Sequence, residues 1–506
     1  MSHQANDLLM RFPAEFLYRY TFYPLKDDGR YLEIYIDNPD NIVAVDAIEN
    51  LSGRRVKAIK ESRGKILELL RKSEVASEIL KSTGEKFEAG SVESSQQEDI
   101  ISETVSDDDP TIVKLVNSII FTGVQKIASD IHIETKDNRV VVKYRVDGVL
   151  LEAMAPLDKK YAENIISRIK IMSDLDISEK RVPQDGRFRL RIKNKEIDFR
   201  VSIMPCIHGE DAVIRILDRE MITRSLSDLN LEVLGFNKNL LSRIRKYVYY
   251  PYGMVLATGP TGSGKTTSLY AILNEIRNSE EKIITIEDPV EYQIDGITQI
   301  LVNEKTGLTF SRGLRSILRH DPDKIMVGEI RDPETAEIAI QAALTGHLVF
   351  TTVHANNAFD VVGRFLHMKI DPYSFVSSVN CILAQRLVRL LCEKCKVPAS
   401  YSKEFFDQAG VPEAFRHGTF YEPSGCKECN FTGFSGRTAI GEILEFSDPV
   451  REMVLAKKPP SEIKREAMKE GLLAMRIEGL QKVAQGLTTF KELNKVTFAE
   501  EGGDVL

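Results

Sequence analysis

The sequence predicts a multidomain α/β protein whose C-terminal half holds a mostly parallel sheet covered on both faces, and three observations carry this. From about residue 235 onward, apolar strand-like runs at 253–258, 282–287, 324–328 and 347–353 alternate with helical patterns, the rhythm of parallel strands joined by crossover helices. Between 110 and 219, period-two runs such as Ile131-His132-Ile133-Glu134 and Val140-Val141-Val142-Lys143-Tyr144-Arg145 mix with helical stretches and Asp-Gly pairs, which reads as an α+β domain. A chain of 506 residues is too long for one core, and typical domain sizes suggest about three or four units.

Taken in order, residues 1–86 form a small N-terminal module with an aromatic patch at Phe16 to Tyr23 and a strand at Tyr31 to Ile36. It holds no catalytic constellation, and a partner-docking role is assigned to it. Residues 87–109 carry eight acidic residues and no basic one, the composition of a solvated linker. Order resumes at Asp109-Pro110, suited to an N-cap and first helical position. A helix from Ala162 to Met172 and a second sheet built on an Asp185-Gly186 turn complete the 110–219 domain. The arginines at 187, 189, 191 and 200 recur at near-even spacing, which ordinarily marks one solvated strand face. Domains then follow at 235–385, at 386–445 around four cysteines, and at 446–506 as a helical region.

Bulk properties narrow the function. Net charge is −7, with 42% hydrophobic and 28% charged residues, so there is no global basic footprint and no nucleic-acid partner is expected. The N-terminus lacks the pattern of a signal peptide and no apolar run reaches spanning length, which predicts a cytoplasmic protein.

Chemistry concentrates at Gly259-Pro260-Thr261-Gly262-Ser263-Gly264-Lys265-Thr266, an uninterrupted G-x-x-x-x-G-K-[ST]. It lies between a strand-like Met254-Val255-Leu256-Ala257 and a helix from Thr267 to Ile276. The glycines let backbone N–H groups crowd around phosphate oxygens where a Cβ would block the approach. Lys265 then places a point charge on the β- and γ-phosphates of ATP, and the Thr266 hydroxyl is placed to ligate Mg²⁺. The strand Ile283 to Ile286 runs into Glu287-Asp288-Pro289-Val290-Glu291, whose carboxylates suit polarising water or holding metal. The strand Ile325 to Val327 ends at Gly328-Glu329-Ile330-Arg331, with Gly where many phosphate-loop proteins carry an aspartate, so Glu329 acts alone through the metal's water. His347 and His354 bracket an apolar strand, and together beside a nucleotide they suggest sensing of the γ-phosphate. Arg315 and Arg319 share a helical face, where spacing serves a solvated face and an anion-facing pair equally. The loop and its acidic clusters bring a lysine, a metal and a base, but the loop region itself has no arginine. Cys392-x-x-Cys395 and Cys426-x-x-Cys429 offer four thiolates for a closed, structural, tetrahedral Zn²⁺ site.

These stretches, together with Ala128 to Glu134, Asp321 to Asp332 and Gly346 to His354, occur in one order over residues 110–445. In that order they resemble the secretion ATPase family that powers type II secretion and type IV pilus assembly. The resemblance implies a RecA-like core preceded by a PAS-like domain, a hinge at 220–234, and a hexameric ring at the cytoplasmic face of the inner membrane. It implies that Lys265, Thr266 and Thr267 belong to the Walker A loop, Glu291 to the general-base position and Glu329 to the Walker B. His347 and His354 match the histidine box, and Arg315, Arg319 and Arg331 match functional arginines. It further implies that Arg200 and Arg215 reach the nucleotide from the preceding domain, and that the N-terminal module meets inner-membrane secretion-platform proteins. The length of that module points to type II secretion ahead of pilus assembly, with a DNA-handling motor as an alternative of another class.

Overall fold

In a computed structural model, the described residues are most of 20–69, then 110–192, 195–218 and 229–498, with a few positions before residue 20. The acidic linker and most of the expected hinge fall outside them. The chain divides into two units, Met1–Glu220 and Met221–Leu506.

The first unit opens with β1 (Phe22–Asp27), β2 (Tyr31–Ile36), α1 (Ile42–Ser52) and β3 (Arg55–Lys60), with β2 central in a three-stranded sheet. There follow α2 (Pro110–Gln125), β4 (Asp130–Thr135), β5 (Arg139–Val146), β6 (Val149–Glu152), β7 (Leu157–Asp158), α3 (Ala162–Met172), β8 (Gln184–Ile192), β9 (Lys195–Cys206) and β10 (Gly209–Asp218). The second sheet is antiparallel in the order β6-β5-β4-β10-β9-β8, with β7 on β5. Alternation sends Ile131, Ile133, Val142, Tyr144, Phe199, Val201 and Ile214 into a core shared with Val116 and Ile119 of α2 and Ile165 and Ile169 of α3. The expected turn at Asp185-Gly186 is instead ladder: Asp185 pairs with Ser202 and Gly186 with Val201. Glycine is required there because a Cβ would stand 2.7 Å from the Ser173 carbonyl oxygen.

The second unit runs α4 (Lys238–Val248), β11 (Gly253–Thr258), α5 (Lys265–Ile276), β12 (Ile283–Glu287), β13 (Thr298–Leu301), α6 (Phe310–Ile317), β14 (Lys324–Val327), α7 (Pro333–Leu344), β15 (Leu348–Val353), α8 (Ala358–His367), α9 (Pro372–Ser378) and β16 (Val379–Leu391). A small excursion of β17 (Lys396–Ala399), α10 (Lys403–Gln408) and β18 (Phe420–Pro423) returns to the sheet as β19 (Phe434–Glu445). Helices α11 (Asp448–Leu455), α12 (Pro460–Lys469), α13 (Met475–Ala484) and α14 (Phe490–Val496) close the unit. The sheet order is β13-β12-β14-β15-β11-β16-β19, parallel except for the β16/β19 pair. Every residue of β11 and β15 is buried, which is why both read as continuous apolar runs. On β11, Met254 and Leu256 face a core shared with α6–α9 and α11–α14, whereas Val255 and Ala257 face one shared with α4 and α5.

Residue 385 lies within β16 and residue 445 ends β19, so the segments expected as separate domains at 386–445 and 446–506 share the main sheet and its core. The last helices are latched to the first. Buried Glu478 of α13 accepts the N–H groups of Asn237 (2.7 Å) and Gly441 (2.5 Å), and Lys482 donates to the Gly235 carbonyl. Burial raises the Glu478 carboxyl above its ordinary pKa despite those donors. Glu478→Ala, which strands both N–H groups, is expected to cost about 2–5 kcal/mol in the urea unfolding of the unit, and Glu478→Gln, which keeps an acceptor, markedly less.

Candidate active site

The phosphate-binding loop begins where β11 ends. Gly259, Gly262 and Gly264 have φ of +150°, +78° and +86°, and Gly264 is the residue from which α5 starts. At Gly259 a Cβ would lie 2.6 Å from both the Gln385 carbonyl and the Ser263 hydroxyl, so the loop can close only around glycine. Lys265 is 7% exposed, and its ammonium donates to the carbonyls of Gly259 (2.8 Å) and Pro260 (3.1 Å), which curls it over the loop. Burial, helped by the nearby Arg386 charge and opposed by Glu329, lowers its pKa. The Ser263 hydroxyl oxygen is buried without a partner among the described residues, a polar atom suited to a phosphate oxygen. Thr266 and Thr267 stand exposed on the first turn of α5.

Parallel strand ends bring the other groups to this loop. The Thr258 hydroxyl accepts from the Ala355 N–H (3.1 Å) and donates to the Val353 carbonyl (3.0 Å), seating the end of β15, and hence His354, against the start of the loop. His354 Nε2 is 3.3 Å from Glu329 Oε2, and Arg331 bonds the other Glu329 oxygen. Burial works to raise the Glu329 carboxyl, but Arg331, His354 and Lys265 outweigh it and hold it below the ordinary range. His354 is lowered, first by burial and then by the Lys265 charge, which keeps the ring neutral near pH 7. At Gly328 a Cβ would press within 3.3 Å of the Ile286 carbonyl, a tight contact where β12 and β14 approach.

The acidic stretch that begins with the last residue of β12 separates into two kinds of residue. Glu287, 2% exposed, is enclosed by the hydroxyls of Tyr270 and Thr285 (2.5 Å) and the Gln299 amide (3.1 Å), and is structural. Glu291 is exposed on the following loop, and its backbone N–H reaches the Tyr270 hydroxyl, tying that loop to α5. Asp288 is exposed, 4.0 Å from Arg331.

Not every expected residue joins this cluster. His347 precedes β15 at the end paired with Gly253, a full strand or about 20 Å from His354, and its Nδ1 is 3.0 Å from the Ala342 carbonyl. The two histidines therefore do not meet one phosphate. Arg315 pairs with Glu334 (2.7 Å), and Arg319 folds back onto the Arg315 carbonyl (2.9 Å). Arg200 and Arg215 belong to the first unit, where register places Arg187, Arg200, Arg215, Asp130 and Arg145 in one cross-strand row. That row is on the face away from the core, and Asp130 bonds Arg215 at 2.9 Å.

Residues 105–495 match the family model described as "Type II/IV secretion system protein", and residues 2–78 match that of the MshEN domain. The chain belongs to the type II/IV secretion system protein family. Among curated members, it is 41% identical to the type IV pilus assembly ATPase PilB of Myxococcus xanthus over 96% of this chain and 86% of that one. It is 46% identical to the type II secretion system ATPase E of Vibrio cholerae, over 79% of this chain and 78% of that one. Among solved structures, the Legionella pneumophila ATPase DotB has the same fold, with a TM-score of 0.54 at 22% identity over 76% of this chain and 95% of that one. The protein is thus an ATP-hydrolysing member of this family.

In this secretion ATPase the four cysteines converge. The Cys392–Cys426, Cys395–Cys429 and Cys426–Cys429 sulfur distances are each 3.8 Å, and all four sulfurs lie within 4.8 Å of one another. A tetrahedron with Zn–S bonds of about 2.3 Å has edges of about 3.8 Å, so the donor set fits zinc. Three N–H groups point at sulfur, Gly425 to Cys395 and Cys426 and Gly433 to Cys429, at 3.2–3.3 Å, as suits thiolates.

Sequence reasoning missed Gln385 and Arg386. Gln385 is fully buried, and its amide donates to the Ser263 carbonyl (2.8 Å), bracing the loop from β16. No motif marks these residues; only the pairing of β16 with β11 brings them to the site.

Proposed function

We propose that this chain is a hexameric, Mg²⁺-dependent ATPase motor that drives type II secretion from the cytoplasmic face of the inner membrane. The observation that carries the ATPase core of this reading is the phosphate loop with Glu329 and His354 drawn up beside it at neighbouring strand ends. In this reading Thr266 and, through water, Glu329 hold Mg²⁺, and Glu291 accepts the proton of the attacking water. Mg²⁺ neutralises charge on the β- and γ-phosphates when bound. Arg200 and Arg215 come to the nucleotide from a PAS-like domain preceding a RecA-like core, while Arg315, Arg319 and Arg331 serve the anion or its neighbouring subunit. The N-terminal module docks an inner-membrane platform protein. No helix among the described residues is long and apolar enough to cross a membrane, which suits peripheral attachment through such a partner.

A second reading, type IV pilus assembly, is favoured by the match to the Myxococcus pilus ATPase, which extends through 96% of the chain. Deleting the gene distinguishes the two: loss of exported proteins supports secretion, and loss of surface pili supports assembly. For the enzyme itself, Lys265→Ala is expected to weaken nucleotide binding about 10- to 100-fold, measured by titration, since it removes a charged hydrogen-bond donor. Undiminished binding would dismiss the loop.

We also propose one structural zinc per chain at Cys392, Cys395, Cys426 and Cys429, pinning the excursion between β16 and β19. Elemental analysis should find one equivalent. Chelation or Cys→Ser exchange should lower the melting temperature before it touches nucleotide affinity. Freshly purified protein lacking zinc removes the proposal.

A further inference from the structure

The phosphate loop itself contains no arginine, and besides Arg331, which is held by Glu329, the fold brings one more to its edge. Strand β16 pairs with β11 up to Ala384 opposite Thr258, then continues as Gln385 and Arg386 while β11 gives way to the phosphate loop. Alternation fixes the directions. Cys381 and Leu383 face the core of α5, and Gln385 on that side reaches the Ser263 carbonyl. Ile382 and Ala384 face the opposite core, so Arg386 emerges on the side of the segment that carries His354. There its Nη2 donates to the Asn356 carbonyl (2.8 Å) and its Nη1 to the Gln385 carbonyl (3.2 Å).

These contacts fix the guanidinium and leave it under-used. Two of its five N–H groups meet neutral carbonyls, and its carboxylate neighbour is buried Glu442, whose charge favours it without a salt bridge between them among the described residues. It is half-buried and near enough to Lys265 for the two cations to disfavour each other. Glu329 beside Lys265 and Glu442 beside Arg386 offset part of this repulsion, and an anion bound between the two cations at the edge of a loop built for phosphate would offset more.

We infer that Arg386 is a catalytic residue that binds the polyphosphate of the nucleotide, an arginine contributed by the ATPase unit itself in addition to any from the preceding domain. The inference rests on the ATPase reading and deepens it. Arg386 would offer its remaining N–H groups to the β- or γ-phosphate, while its Asn356 contact couples phosphate binding to the strand-end segment that carries His354.

The test measures binding of ATP, ADP and AMP to full-length Arg386→Gln and Arg386→Lys, by competition against a fluorescent ATP analogue, together with turnover. Arg386→Gln should weaken ATP binding by roughly 10- to 100-fold, leave AMP binding unchanged and keep the nucleotide-free melting temperature. Arg386→Lys should recover part of the ATP affinity by its charge alone. Loss at ATP but not ADP places the contact on the γ-phosphate, and equal loss at both places it on the β-phosphate; either supports the inference. Unchanged ATP affinity, or an equal loss for ATP, ADP and AMP, overturns it, the latter because it reports a merely misplaced loop. Should Arg386→Gln not fold, Arg386→Lys decides: an unchanged ratio of ATP to AMP affinity overturns the inference and a lowered ratio supports it. A wild-type chain that hydrolysed no ATP would overturn the ATPase reading instead.

Discussion

Arg215→Ala is expected to lower ATP turnover about 10³- to 10⁵-fold while reducing nucleotide affinity only modestly, and Arg200→Ala to act in the same direction. Charge spreads over the oxygens of the transferring phosphoryl group, so a guanidinium that reaches it in the proposed arrangement would contribute in the transition state more than in binding. Arg200 and Arg215 are direct cross-strand partners, and Asp130 is bonded to Arg215 at 2.9 Å, which holds its side chain in one orientation. Both arginines are exposed on the face away from the core, so Arg200→Ala should leave the melting temperature nearly unchanged, whereas Arg215→Ala takes a 2.9 Å partner from buried Asp130 and should lower it slightly with the fold kept. Steady-state turnover and nucleotide titration of the full chain check this. Wild-type turnover in Arg215→Ala would end the proposed role of these arginines.

Glu291→Gln is expected to slow hydrolysis about 10²- to 10⁴-fold with ATP binding nearly intact, the signature of a lost general base. The neighbouring Glu287 offers the contrast. It is buried among Tyr270, Thr285 and Gln299, and its substitution should destabilise the unit as well as slow turnover, because two hydroxyls and an amide lose their acceptor. Single-turnover kinetics alongside urea unfolding separate the two carboxylates. An Glu291→Gln enzyme at wild-type speed assigns the base elsewhere.

The sheet of the second unit was legible because buried parallel strands leave unbroken apolar runs: β11, β12, β14 and β15 all stand where such runs predicted them. Strands β16 and β19 were not, since half of β16 leaves the sheet's centre and mixes Gln385, Arg386 and Arg389 into the run. The loop itself follows from local chemistry, glycine by glycine. By contrast, the separation of His347 from His354 needed only the strand between them to be counted, and the burial of Glu287 depended on Tyr270 and Gln299, which lie 17 and 12 residues away. Asp185-Gly186 misled because a glycine admitting a neighbouring backbone looks the same as one making a turn.

The latch of Glu478 and Lys482 on Gly235, Asn237 and Gly441 bears on how the protein is made. The opening of the unit, at residues 235–241, finds its closing partners only in α13, near the end of the chain. At about 5–20 residues per second of synthesis, the wait between them is about 12–50 s. Through that interval the sheet face destined for α11–α14 is uncovered, so the nascent chain is expected to require a holding chaperone, and ribosome-bound chains halted before residue 475 should be captured by one and digested readily by protease. Full-length chains should acquire resistance in a single late step.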